Sequence, residues 1–215
     1  MSKIKEKLNK QIETEIQKLI ERLDLLNEKS KRISIIRLVV FLTGLFFFLG
    51  CFIYNYKTTS YVGTALIGII FVFLVIIHNK VEKSIKKFKT FIQIKNELLS
   101  RSKLDWMKIP YIDEFYAADS NYLEQDLNIT EKNGLLHLIN TGVTYESVKI
   151  LREWLSGRVI DLNKIINRQK IIRELKELNH FRNKLYLATK LCIKTNLLKI
   201  EISDWIKKTE KRKVY

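Results

Sequence analysis

Two stretches without a charged side chain, Leu38–Tyr56 and Thr58–Asn79, stand back to back with only Lys57 between them. They constrain the chain more than any other feature. A helix needs about 20 apolar residues to cross the hydrocarbon core of a bilayer, and each stretch is about that long. The connection is too short to be a domain, so the pair reads as a transmembrane hairpin over 36–79, with spans at 38–56 and 58–79. Two core helices of a soluble protein are the alternative. Such helices carry a polar stripe where one side meets water, and neither stretch has one. A cleavable signal peptide fits worse, because the first apolar run begins behind a long charged segment and a second run follows at once.

Charge sets the orientation, since cytoplasmic flanks collect Lys and Arg. Lys29, Lys31, Arg32 and Arg37 precede the hairpin, and Lys80, Lys83, Lys86, Lys87 and Lys89 follow it. The loop holds Lys57 alone. Both termini are therefore expected in the cytoplasm, with Asn55–Ser60 outside. Tyr54, Tyr56 and Tyr61 fall near the outer interface, where amphipathic rings are favoured. Gly44, Gly63, Ala65 and Gly68 are small enough to let helices approach in lipid.

Helical periodicity continues on both sides of the hairpin. Ile4, Leu8, Ile12, Ile16, Leu19, Leu23 and Leu26 form a stripe on an amphipathic helix over 1–35. Val81, Ile85, Phe88, Ile92 and Leu99 form another over 80–103, with one lapse at Lys95. The two helices leave the same membrane face in opposite directions, so their stripes can bury each other in an antiparallel helical stalk. Self-association into a homodimer uses the same pattern.

Residues 104–133 lose the period. They contain the only proline, Pro110, with acids and the aromatics Trp106, Tyr111, Phe115, Tyr116 and Tyr122, which predict an ordered connector with buried rings. From Gly134 the pattern is helical again over 134–215. Leu135, Leu136, Leu138 and Ile139 make one apolar patch, and Val148, Ile150, Leu151, Trp154 and Leu155 the next. Asp161 is a natural N-cap for a helix burying Leu162, Ile165, Ile166, Ile172, Leu175 and Leu178, and a further helix is expected from about Asn179 to Lys199. Strand signals are weak throughout, and the fold class is all-α.

The chemistry-bearing residues are sparse. The 215 residues include two cysteines and three histidines. Cys51 lies in the first span and Cys192 far from it, so neither a disulfide nor a metal site is expected. His78, His137 and His180 stand apart from any ligand pattern and read as structural or surface residues. There is no phosphate-binding glycine loop and no assembled triad. No catalytic, cofactor or metal residue is expected, and the chain reads as a non-enzyme. The net charge of +16 suits anionic lipid headgroups or nucleic acid phosphates.

One segment carries a resemblance. Gly134–Leu178 reads GLLHLINTGVTYESVKILREWLSGRVIDLNKIINRQKIIRELKEL. It resembles the start of the core, or lever, domain of the MutS DNA mismatch repair family, in which Gly and apolar residues are followed by Thr, a basic residue, Trp-Leu, Asp and Ile-x-x-Arg-Gln. Gly134, Leu135, Leu136, Ile139, Thr144, Lys149, Ile150, Leu151, Trp154, Leu155, Val159, Asp161, Ile165, Arg168 and Gln169 fall in register. Asp126-Leu127 resembles a stretch that precedes this motif in a membrane-anchored bacterial branch. Asn140 stands for the usual acid, Ser147 for the usual Gly, Lys149 for Arg and Arg158 for Pro. The match covers about a quarter of the chain and concerns structural rather than catalytic positions.

The resemblance implies a membrane-anchored N-terminal portion of a MutS-like, DNA-binding ATPase, ending before the ATPase. ATP and Mg are expected only for that downstream domain. Contacts to DNA would be non-specific and made to phosphates by Lys164, Arg168, Lys170, Arg173 and Lys176. The expected partners are the bilayer, DNA, a second copy and a separate or downstream ATPase. The competing expectation is a membrane-anchored coiled-coil scaffold that binds a protein and no nucleic acid.

Overall fold

The structure is a computed structural model, and it describes residues 2–53, 57–111, 122–156 and 161–192. Among them there is no strand, and the fold is all-α. The helices are α1 (Ser2–Ile53), α2 (Lys57–Lys103), α3 (Tyr122–Asp126), α4 (Leu135–Ile139), α5 (Tyr145–Ser156), α6 (Leu162–Glu177) and α7 (Asn179–Cys192), with a 3-10 turn at Trp106–Lys108. Tyr54–Tyr56, expected in the connection between the two spans, lie outside the described residues, as do Phe115, Tyr116, Arg158, Val159 and the helical region expected beyond Cys192. Two compact units divide the chain, Lys10–Ile92 and Met1–Asn9 with Gln93–Tyr215.

In the first unit α1 and α2 lie antiparallel. Ser30 donates to Glu82 at 2.5 Å, and the rings of Phe41 and Phe71 pack 6.1 Å apart. A methyl added at Gly44 would lie 2.9 Å from Ile67, and one at Gly63 would overlap the Phe47 ring. Both glycines therefore serve the close approach of the helices, as small residues do in apolar surroundings. Gly50 and Gly68 border open space instead. Both α1 and α2 contain a window long and apolar enough to cross a membrane, and none of either window is buried within the chain. Phe41, Phe46, Ile69 and Phe73 are all exposed. Ile12, Ile16 and Ile85 are buried along the stripes that flank these windows.

The second unit has its core where the connector meets α4 and α5. Ile129, Leu136 and Val148 are buried together, with Tyr111, Tyr145, Leu151 and Leu155 packed around them. Backbone turns bring these residues into place. At the end of α2, Leu104 N–H donates to Arg101 O and Asp105 N–H to Ser100 O, a Schellman closure. Leu104 takes the left-handed conformation, φ 59°, that glycine normally supplies. The end of α3 repeats the closure through Asn128 and Ile129. There Asn128, φ 48°, is a residue suited to the position. Gly134 is buried, and a Cβ there would strike the carbonyls of Asn128 and Glu131.

Several apolar residues expected inside are outside. Ile4 and Leu8 are exposed on α1, so the N-terminal stripe is covered only from Ile12 onward. Tyr122 is 84% exposed, because the five-residue α3 turns Glu124 inward instead. Leu135 and Ile139 flank α4 in solvent while Leu136 and His137 fill the interior. Ile150 and Trp154 are half-open. On α6 no residue is buried. Leu162, Ile166, Ile172 and Leu178 face solvent, and only Ile165 and Leu175 are partly covered.

Candidate functional site

The polar organisation of the second unit centres on His137. The residue is 1% exposed. Nδ1 accepts from the Asn133 N–H at 3.2 Å, which leaves the proton on Nε2, 3.3 Å from the Ile109 carbonyl. Trp106 lies 5.4 Å away, centroid to centroid, and Tyr111 meets the ring edge-on at 4.9 Å. Burial, with lesser contributions from the charges of Arg101 and Lys132, pushes the imidazole below its ordinary value, against the pull of the Ile109 carbonyl. The ring is thus a neutral pin joining the connector to α4. From the end of α2, Arg101 donates to the carbonyls of His137 and Leu138 at 2.7 and 2.5 Å. A cation is favoured at these C-terminal carbonyls of α4.

Two buried ion pairs complete the frame. Arg152 of α5 grips Glu124 of α3 through Nε at 3.3 Å and a second nitrogen at 2.6 Å, with side chains only 12% and 5% exposed. Lys190 of α7 places its Nζ 2.7 Å from both oxygens of Glu97 on α2. Tyr186 approaches the same carboxylate at 3.5 Å, and burial, reinforced by the Glu97 charge, pushes its hydroxyl up to about 12. Ser102 donates to Asn9 at 2.6 Å, which ties the first turns of α1 to the end of α2.

Several residues of the segment Gly134–Leu178 have definite local tasks. Thr144 precedes α5 and accepts the Ser147 N–H at 3.2 Å, while the Thr144 N–H donates back to the Ser147 hydroxyl at 3.3 Å. This is a capping box in which serine fills the place of the usual glutamate. Asn140, buried, accepts the Gly142 N–H at 2.8 Å and closes the turn after α4. Its amide does so without burying a charge. Asp161 is the N-cap of α6 as expected, accepting the Lys164 N–H at 3.2 Å. That bond, together with the Lys164 ammonium, holds its carboxyl below the usual range. Arg168 lies over the Trp154 ring, 4.2 Å from its centroid, so the paired positions on α5 and α6 form a cation–π contact.

The five basic residues proposed for phosphate contact all lie on α6, but they do not form one surface. Lys164 pairs with Asp161 at 3.3 Å, and Arg168 is committed to Trp154. Lys170, Arg173 and Lys176 are exposed. At about 100° per residue they sweep an arc of about 120° on another side of the helix from Lys164. His180 is exposed and His78 partly covered. No group of three or more His, Cys, Asp and Glu side chains that could hold a metal occurs among the described residues. The hairpin contains an apolar groove of about 310 Å³ lined by Phe41, Gly44, Phe48, Thr64, Ile67 and Phe71 among others. Its lining carries no charged group to receive a charged substrate.

Periodicity did not expose Glu124–Arg152, Glu97–Lys190 or His137–Ile109, because each joins residues far apart in the chain. The one available signal was the lapse at Lys95. Lys95 and Glu97 are both buried, so the break marks where polar side chains turn inward. No protein-family profile, curated protein or solved structure matches the chain.

Proposed function

We propose that this chain is the membrane-anchored portion of a MutS-like, DNA-handling protein of the bacterial cytoplasmic membrane. In this reading α1 and α2 cross the bilayer as a hairpin, with both termini in the cytoplasm. The helices from α4 onward are the beginning of a lever that works with an ATPase of the MutS type. The observation that carries the reading is local. Several positions of the resemblance are residues that build the second unit: Gly134 at the crowded turn, Leu136 in the core, Thr144 and Asp161 at helix starts, and Arg168 on Trp154. The apolar windows of α1 and α2, unburied within the chain, support the anchor, since a contiguous apolar surface of that extent calls for a membrane or a partner.

A second reading is favoured by α6. Its basic residues are dispersed and two of them are engaged, which suits a membrane-anchored helical scaffold for a protein partner without nucleic acid. Binding of duplex DNA to the full chain in nanodiscs separates the two. With Lys170, Arg173 and Lys176 as the phosphate contacts, log K falls against log salt with a slope of about −2.7, a loss of about 40-fold between 50 and 200 mM. Arg173→Gln shallows the slope by about 0.9. Absence of binding at 50 mM salt would leave the scaffold.

A further inference from the structure

The hairpin carries its densest charge immediately beyond the apolar windows, and the charge has a direction. On α2, Lys80, Lys83, Lys86 and Lys87 are all exposed. At about 100° per residue they share an arc of about 120° centred nearly opposite Ile85, which is buried. On α1, Lys29, Lys31 and Arg32 are likewise exposed and lie on the side away from Ser30, which is buried and bonded to Glu82. Ile85 and Ser30 are both buried, so the two sets of basic residues lie on the outward faces of their two helices. Only two acids occupy the same stretch. Glu82 is engaged by Ser30, and Glu28 lies 3.7 Å from Arg32 at the surface.

We infer that this basic collar binds the anionic phospholipid headgroups of the bilayer that surrounds the hairpin. The inference rests on the membrane-spanning reading and adds the class of lipid to it. Charge complementarity and continuity with the apolar windows both select this partner. The lysines of α2 cover about 10 Å of helix axis, comparable with the headgroup layer outside the hydrocarbon core, and their stems can lie along apolar surface while the ammonium reaches phosphate. A nucleic acid duplex could meet only one side of the rod at a time. A membrane surface meets every side, and the charges are distributed accordingly.

The test is electron paramagnetic resonance of the full chain reconstituted in phosphatidylcholine with trace spin-labelled phosphatidylglycerol or phosphatidylcholine. The protein-restricted fraction of phosphatidylglycerol should exceed that of phosphatidylcholine by at least about fivefold, the equivalent of one well-placed basic residue. The preference should fall toward parity in K80Q/K83Q/K86Q/K87Q and in 1 M salt, with helical circular dichroism unchanged. Equal restriction of the two lipids by the native chain would overturn the collar while leaving the hairpin in the membrane. A restricted fraction absent for both lipids would overturn the spanning reading itself. Loss of the preference on adding millimolar glycerol phosphate would assign the lysines to soluble phosphate. Loss on adding duplex DNA at equal phosphate would assign them to nucleic acid. Either result contradicts the inference.

Discussion

Substitution of Arg152 by methionine should loosen the second unit out of proportion to the atoms removed. The guanidinium holds Glu124 through two nitrogens, and the Glu124 residue is 4% exposed. Removing the cation leaves a carboxylate buried without its guanidinium. Breaking a buried pair from one side costs about 3–5 kcal/mol, whereas replacing both partners with apolar residues of similar volume is close to neutral. Hydrogen exchange of the α4 and α5 amides reads this directly, because each 1.4 kcal/mol of opening energy is about a tenfold change in rate. Arg152→Met should accelerate exchange about 150-fold to several thousand-fold. Glu124→Leu combined with Arg152→Met should return it to within about tenfold of the native rate. A single variant that changes exchange less than tenfold would refute the reasoning. So would a double variant as fast as the single, since the cost would then lie in packing rather than in the broken ion pair.

Gly134→Ala should destabilise the same unit by more than about 1 kcal/mol, measured by thermal melting, because the new methyl would meet the backbone carbonyls of Asn128 and Glu131. Leu104→Gly should stabilise it by about 1 kcal/mol in the same measurement, by relieving a left-handed conformation that costs a branched residue about that much. The His137 ring resists protonation in the fold, so the unfolded chain takes up the proton first as the pH falls. The stability it contributes is complete above its ordinary value of 6.5 and declines below it. Melting temperatures from pH 7.5 to 5 should fall on the acid side for the native protein, and His137→Phe should flatten that limb.

The two long apolar helices were legible because their signal is one of composition, uniform over a length that few other structures require. The N-cap at Asp161 was legible for a similar reason, since a cap is read from three or four consecutive residues. What could not be read was set by distance along the chain. The periodicity of α6 marks Leu162, Ile166 and Ile172 as apolar but does not supply a surface to cover them. The polarity of Glu124 marks it as exposed until Arg152, 28 residues away, is placed against it. Glu97 is similar, its partner Lys190 lying 93 residues distant. The site residues on α6 show the limit most clearly. A count of basic residues reports five candidates, but the helical wheel and the contacts of Lys164 and Arg168 leave three on a common arc.

Whether the hairpin crosses a bilayer is tested most directly by the side of the membrane that each end reaches. In a chain whose native cysteines are replaced by serine, single cysteines at Thr58 and Ser84 are exposed to a membrane-impermeant maleimide on intact bacterial cells. The account predicts labelling at position 58 and none at position 84 until the cells are opened. Labelling at position 84 on intact cells, alone or together with position 58, would contradict it.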